Sequence, residues 1–341
     1  MSLRKVKQKI WRDNRARRIL KKSSKKRMSR RVRKQRYTRG KKPFIATAPE
    51  NFSLLMNPED TIAYFNDVVS EIHKKRYGEN FYFNLAKVKH LTPEAIMFVL
   101  AILKNVKCKS LYKYRFEGNA PIEKSAGQLM GETGFYDYVN SYQKTLEVSN
   151  KKVKITSGSS TDPDTARQVC DFINSLCRTD RISTQNIYKT LIELMENTIH
   201  HAYDNGKIFS ANSWYVFAES LESSVRIIFL DTGAGIPNTV RKKFREYFPL
   251  FRKDSHLMQS TFKGDFRTET GEKNRGKGLP GIYNLCKDRV FLSMHVFSGS
   301  GCFTINQEQE KIEEYSNELF GTLFVMEVEK DTLKGELRND N

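Results

Sequence analysis

Apolar positions recur along this chain with two periods, and the change from one to the other marks out the elements. Between Thr61 and His73 they return every three or four residues, as on one face of a helix, and Phe81 to Leu85 has the character of a short strand. Thr92-Pro93-Glu94 before an apolar run is a helix start, with proline in the first turn where its missing N–H costs nothing and with Thr92 as the expected N-cap hydroxyl. Leu111 to Phe116 alternates like a strand, and Ile122 to Val139 is helical in period but interrupted by Gly127, Gly131 and Gly134. This order of strand, helix, strand, helix predicts a small α/β unit. Residues 43–60, with Pro43, Pro49 and Pro58, read as its irregular lead-in, and Lys151 to Ser160 as the join to a second unit.

In the second unit the pattern predicts helices near Asp164 to Leu176 and Thr184 to Tyr203. Strands follow near Ser213 to Ala218 and Val225 to Leu230. A polar, charged stretch runs from Pro237 to Arg275. After it come a helix from Leu279 to Lys287 and strands near Val290 to Phe297, Cys302 to Ile305 and Thr322 to Val328. No internal repeat interrupts this order.

Charge changes the picture at one end only. The formal net charge of +20 sits in residues 1–42, which hold 21 Lys and Arg against the single acid Asp13; the remainder carries 38 basic and 38 acidic side chains. A block of like charge repels itself, and a cationic arm releases counterions when it lies on nucleic acid. The arm is therefore expected to be disordered or conditionally helical, with an anionic partner; a solvated tail is the plainer alternative. It lacks the apolar core of a signal peptide, and the longest apolar run, Ala95 to Leu103, is too short to span a bilayer. The five cysteines form no CxxC pair and are odd in number, which argues against a disulfide framework or structural zinc and for a reducing, cytoplasmic setting.

Three segments carry candidate chemistry. In Glu193-Leu-Met-Glu-Asn197 the outer residues are four apart, so a helix projects both from one face; that pairing suits a water and a metal. The run Val225 to Leu230 delivers Asp231 to a strand end, and Gly233 and Gly235 let the following turn approach a flat ring closely. A carboxylate there accepts a hydrogen bond from an exocyclic amine and so distinguishes adenine from guanine. An aspartic protease would need a second such carboxylate, and no second DTG occurs. In the third segment, Gly276-Lys277-Gly278 opens a helix whose amides suit phosphate oxygens, with Arg275 and Lys277 adding positive charge. A P-loop is excluded there, because Gly278 stands where Ser or Thr should hold magnesium and no strand precedes it.

Taken together these segments resemble the ATP-binding domain of the GHKL superfamily over about residues 160–330. Glu193-Leu-Met-Glu-Asn197-Thr-Ile-His-His201-Ala-Tyr203 is similar to the first box, Asp231 to Pro237 to the second, Gly276 to Asp288 to the third, and Gly321-Thr322 to the final Gly-Thr. Asn197 through Tyr203 is closer to the anti-sigma serine kinase form than to the gyrase form, which has Asp where this chain has His200. The resemblance implies an α+β, two-layer sandwich of the Bergerat type over residues 156–332, followed by a polar tail, 333–341. It implies Glu193 as the catalytic base, Asn197 as the Mg²⁺ ligand, and ATP contacts from Asp231, Gly233, Gly235, Arg275, Gly276, Lys277, Gly278 and Thr322. Adjacent histidines diverge by about 100° on a helix, so His200 and His201 are expected to be structural or to touch a lid. Two departures stand out. Residues 238–275 are long for an anti-sigma kinase and form the expected ATP lid, including Phe248-Pro249-Leu250-Phe251, and Pro280 lies inside the third box, where only a first helical turn tolerates it.

Residues 43–155 resemble STAS domains in element order and over Phe81 to Leu103, which implies a partner-binding module with Thr92 near that family's phosphorylated position. No transducer segment is expected after the last strand and no phosphoacceptor histidine around His73 or His90. The expectation is an ATP- and Mg²⁺-binding regulator, a serine/threonine kinase-like enzyme or slow ATPase switch, with a protein partner through the STAS-like unit or the lid. The alternative is a nucleic-acid binder that uses residues 1–42, with ATP gating its conformation.

Overall fold

A computed structural model describes residues 43–74, 80–109, 115–139, 146, 150–177, 184–200, 213–243, 253–266 and 278–330. Within them the chain is a mixed α/β protein built on a five-stranded sheet of order β6-β7-β8-β10-β9. Its strands are β6 (Lys152–Gly158), β7 (Trp214–Ser220), β8 (Ser224–Asp231), β9 (Ser293–Asn306) and β10 (Glu310–Glu329), each antiparallel to its neighbours.

Strict alternation gives this sheet two buried faces. From β7, β8 and β10, the side chains of Trp214, Val216, Ile227, Phe229, Phe324 and Met326 point to one core, and those of Tyr215, Phe217, Ile228, Leu230, Leu323 and Val325 to the other. The first face is covered by helices α4 (Pro163–Cys177), α5 (Gln185–His200), α7 (Asp254–Lys263) and α8 (Gly278–Lys287). Burial raises the Cys170 thiol of α4 to about 11 and the Cys286 thiol of α8 to about 12, as expected of inert core cysteines.

The second face packs against the N-terminal unit. There β1 (Phe44–Thr47), β3 (Asn80–Asn84) and β5 (Arg115–Asn119) form a parallel sheet of order β1-β3-β5, and β2 (Asn51–Phe52) pairs with β4 (His90–Leu91). Helices α1 (Pro58–Lys74) and α2 (Pro93–Lys109) join the sheet face in one apolar core: Phe65, Val69, Met97 and Leu100 belong to the same cluster as Tyr215 and Leu323. Helix α3 (Lys124–Glu132) and a 3₁₀ turn at Phe135–Asp137 complete the unit.

Several expectations are corrected. The join expected at Lys151 to Ser160 is strand β6, an edge of the large sheet: Ile155 donates its amide to Thr133 O and accepts from the Tyr138 hydroxyl, while Lys104 of α2 donates to Ser157. Its serines and glycine suggest a loop, but edge-strand pairing and the absence of room beside Trp214 favour small residues there; a Cβ on Gly158 would meet the Trp214 ring at 2.3 Å. The irregular lead-in contains β1 and β2. Thr92 does not cap α2 with its hydroxyl, which donates to Phe52 O at 3.3 Å.

The two strands expected around residues 290–305 are one continuous β9, which passes through Gly299 at φ 61°. The polar stretch after residue 237 is not all surface. It contains α6 (Ile236–Lys243) and the core helix α7, whose Leu257, Met258 and Phe262 are buried; Phe248 to Phe251 lie outside the described residues.

Candidate functional site

Helix α5 buries Ile187, Leu191, Leu194 and Met195 against the sheet, and that apolar stripe orients its remaining faces. Glu193 and Asn197 emerge together beside the stripe, half-buried, and the Asn197 amide donates to Glu193 Oε1 at 3.2 Å. Buried Thr190 and Thr198 on the same helix satisfy their hydroxyls by back-bonding to Asn186 O and Leu194 O. Glu196 is exposed and takes no part.

The N-terminus of α8 meets this pair. A Cβ built on Gly278 would fall 1.8 Å from Glu193 Oε1, so the Glu193 carboxylate occupies the space that a side chain at position 278 would take. Pro280 sits in the first turn of α8, where proline fits, and is buried.

The floor is one rung of the large sheet. Gly158, Trp214, Asp231, Thr322 and Ser298 are successive partners across all five strands. Asp231 Oδ1 accepts from the Gly233 amide at 2.7 Å. Burial pushes the Asp231 carboxyl up to about 6, against the opposing pull of the Gly233 amide and of the Thr322 hydroxyl and amide. The turn after it is clamped at both ends: Thr232 exchanges hydrogen bonds with Ser213, and the Ile236 amide donates to Ser298 Oγ at 2.9 Å. Gly235 adopts φ 81° and Gly321 φ 79°, and a Cβ on Gly321 would collide with Asp231 O at 1.9 Å.

Residues 193, 197, 231, 233, 235, 278 and 322, expected from sequence to form one site, all lie on this end of the sheet or on the helices over it. Arg275, Gly276 and Lys277 lie outside the described residues, as do His201 and the side chain of His200. Sequence reasoning missed Ser298 and Trp214. Trp214 fills the rung beside Asp231 and donates its indole N–H to Ser160 O at 2.8 Å. Ser298 belongs to no motif, because its hydroxyl partners are 62, 23 and 24 residues away.

The segment after the turn is held by charge. The N-terminal amides of α7 donate to Glu314 of β10 at 3.1 and 3.0 Å, so a strand carboxylate supplies the cap that Lys253 does not. Arg241 of α6 pairs with Asp254 of α7, whose Oδ2 also accepts from the Ser300 amide. Glu310 collects Tyr283 and Lys287 from α8 and Gln259 and Lys263 from α7. These bonds overcome the upward push of burial and draw its carboxyl down to about 2.

No protein-family model matches the chain, and no curated protein matches it. Among the described residues no helix is long and apolar enough to cross a membrane.

Proposed function

We propose that this chain is an ATP- and Mg²⁺-binding regulatory protein of the GHKL type, acting as a serine/threonine kinase-like enzyme or slow ATPase switch. The observation that carries the reading is convergence. Glu193 lies against Gly278 on two helices that cover one face of the sheet, and Asp231 and Thr322 are partners on that sheet.

Each part has a role in this reading. The half-buried Asp231 carboxylate is an acceptor for an adenine amine, since an acceptor there disfavours a base that offers only a carbonyl. The N-terminal amides of α8 face phosphate oxygens. Among the described residues no three His, Cys, Asp or Glu side chains form a metal cage. Mg²⁺ keeps waters and takes phosphate oxygens with only one or two protein ligands. Asn197 commits its amide N–H to Glu193, which leaves its carbonyl oxygen as the ligating atom. The metal would supply charge neutralisation for a phosphoryl group. Glu193, one helical turn away, would accept the proton of a water or substrate hydroxyl.

Incubation with γ-labelled ATP and Mg²⁺, followed by separation of free phosphate from labelled protein, tests the reading. Phosphate release or protein labelling that disappears in Glu193→Ala while ATP binding persists is the expected result. Wild-type protein that binds no ATP would overturn it.

A further inference from the structure

We propose that Ser298 is the positioning residue of the adenine-recognition pocket, the hydroxyl that holds the Asp231 turn against Thr322 and so selects for the base's amine. The assignment rests on the nucleotide reading above.

Ser298 is fully buried at the centre of three backbone segments. Its Oγ accepts from the Ile236 amide at 2.9 Å, lies 3.0 Å from Gly321 O and lies 3.2 Å from Thr322 Oγ1. A hydroxyl has one proton and two lone pairs, and a carbonyl can only accept. The Ser298 proton therefore goes to Gly321 O, and the contact with Thr322 is a hydrogen bond only when Thr322 is the donor. Thr322 is the direct cross-strand partner of Asp231, so this contact ties Ser298 to the residue opposite the carboxylate.

That arrangement has a consequence for recognition. Ser298 fixes at one buried point both the start of the helix after the Asp231 turn and the strand residue opposite Asp231, so an amine of a bound base would meet an acceptor already held in place. The turn packs closely on Ser298: a Cβ on Gly235 would come within 2.9 Å of Ser298 Oγ and 3.3 Å of Gly321 O. Removal of the hydroxyl leaves the Ile236 N–H and the Gly321 carbonyl without this partner at a buried point. It also releases the turn that carries Asp231.

The test uses the full chain with Ser298→Ala and Ser298→Cys; the thiol fills the volume but bonds weakly, and thermal melts verify that each variant is folded. Binding of ATP is compared with that of purine riboside triphosphate, which lacks the exocyclic amine. Wild type is expected to prefer ATP. Both variants should lose roughly tenfold in ATP affinity, the worth of about one buried hydrogen bond, with affinity for the amine-free nucleotide little changed. Equal losses for both nucleotides, or an intact ATP preference in both variants, would overturn the role of Ser298 and leave the nucleotide site standing. Wild-type protein that binds neither nucleotide would bring down the site and this assignment together.

Discussion

Glu193 and Gly278 are in contact across 84 residues of sequence: a methyl at position 278 would lie 1.8 Å from the Glu193 carboxylate oxygen. All three atoms that such a methyl would meet belong to the flexible Glu193 side chain, so the helix has room to persist while the carboxylate must move. Gly278→Ala is therefore expected to change stability by no more than about 1 kcal/mol. ATP turnover should fall at least roughly tenfold, because a displaced base loses its geometry. Gly281→Ala is the internal control, since nothing lies within 4 Å of that position. It should be slightly more stable and fully active, as read by melting and phosphate release.

Under the proposed function, Asp231 would link nucleotide binding to pH. Its folded value of about 6 lies above its ordinary 3.8, so the native state holds a proton that the unfolded chain releases earlier. The associated stability is complete below about pH 4 and is lost as pH rises through 6. Asp231→Asn is thus expected to exceed wild type in stability by at most about 3 kcal/mol at pH 8 and to lose that advantage by pH 4. It should also fail to bind ATP. In wild type, ATP affinity should weaken as pH falls below about 6, where the acceptor becomes protonated; titration calorimetry across pH 5 to 8 is the check.

At Gly321 the conflict is with backbone. A Cβ there meets Asp231 O at 1.9 Å, and the φ of 79° disfavours any L side chain. All three atoms met there are backbone and none can rotate aside, in contrast to position 278. Gly321→Ala should cost about 3 kcal/mol, measured by urea unfolding, and should weaken ATP binding because the Asp231 rung must shift.

Glu310 ties α7 to α8 and is held ionised by four donors. Its carboxyl is depressed from 4.5 to about 2, so its stabilising contribution is present above pH 4.5 and disappears as pH falls through 2. Glu310→Gln is expected to lose about 2 kcal/mol at pH 7 and progressively less towards pH 2. Denaturant melts at several pH values would show a constant deficit if the ionised carboxylate were not the cause.

The shared core predicts cooperative unfolding. Helices α1 and α2 bury Tyr215, Phe217, Ile228, Leu230, Leu323 and Val325 of the large sheet, and Glu59 and Asn66 of α1 bond to β10 at Ser316 N and Glu318 O. The two units should melt in one transition. A fragment beginning at residue 150 would expose that whole sheet face and should bind an apolar dye and aggregate. A soluble, monomeric fragment with two-state melting would refute this.

Much of the site was legible because it is written in short segments. The i, i+4 spacing of Glu193 and Asn197 needs only a helix, and Asp231 needs only a strand that ends there. Helix α7 was not legible. Its Leu257, Met258 and Phe262 are diluted among Ser, Lys and Gln, and its cap, Glu314, comes from a distant strand. The corner at Ser298 to Gly301 resembles a loop in composition, although hydrogen bonding to β10 keeps it in one strand.

From sequence alone, local periodicity and turn chemistry determined most of the helices and strands, though not β1, β2, β6 or α7, together with where the charge lies and which side chains carry candidate chemistry. Tertiary structure alone decided the rung that places Trp214 beside Asp231 and Ser298 beside Thr322, the contact of Gly278 with Glu193, and the seating of the N-terminal unit on the sheet's second face. The physical reason is range. Helix and strand patterns reflect interactions within a few residues, whereas register and core assembly depend on contacts between segments that sequence separation does not encode.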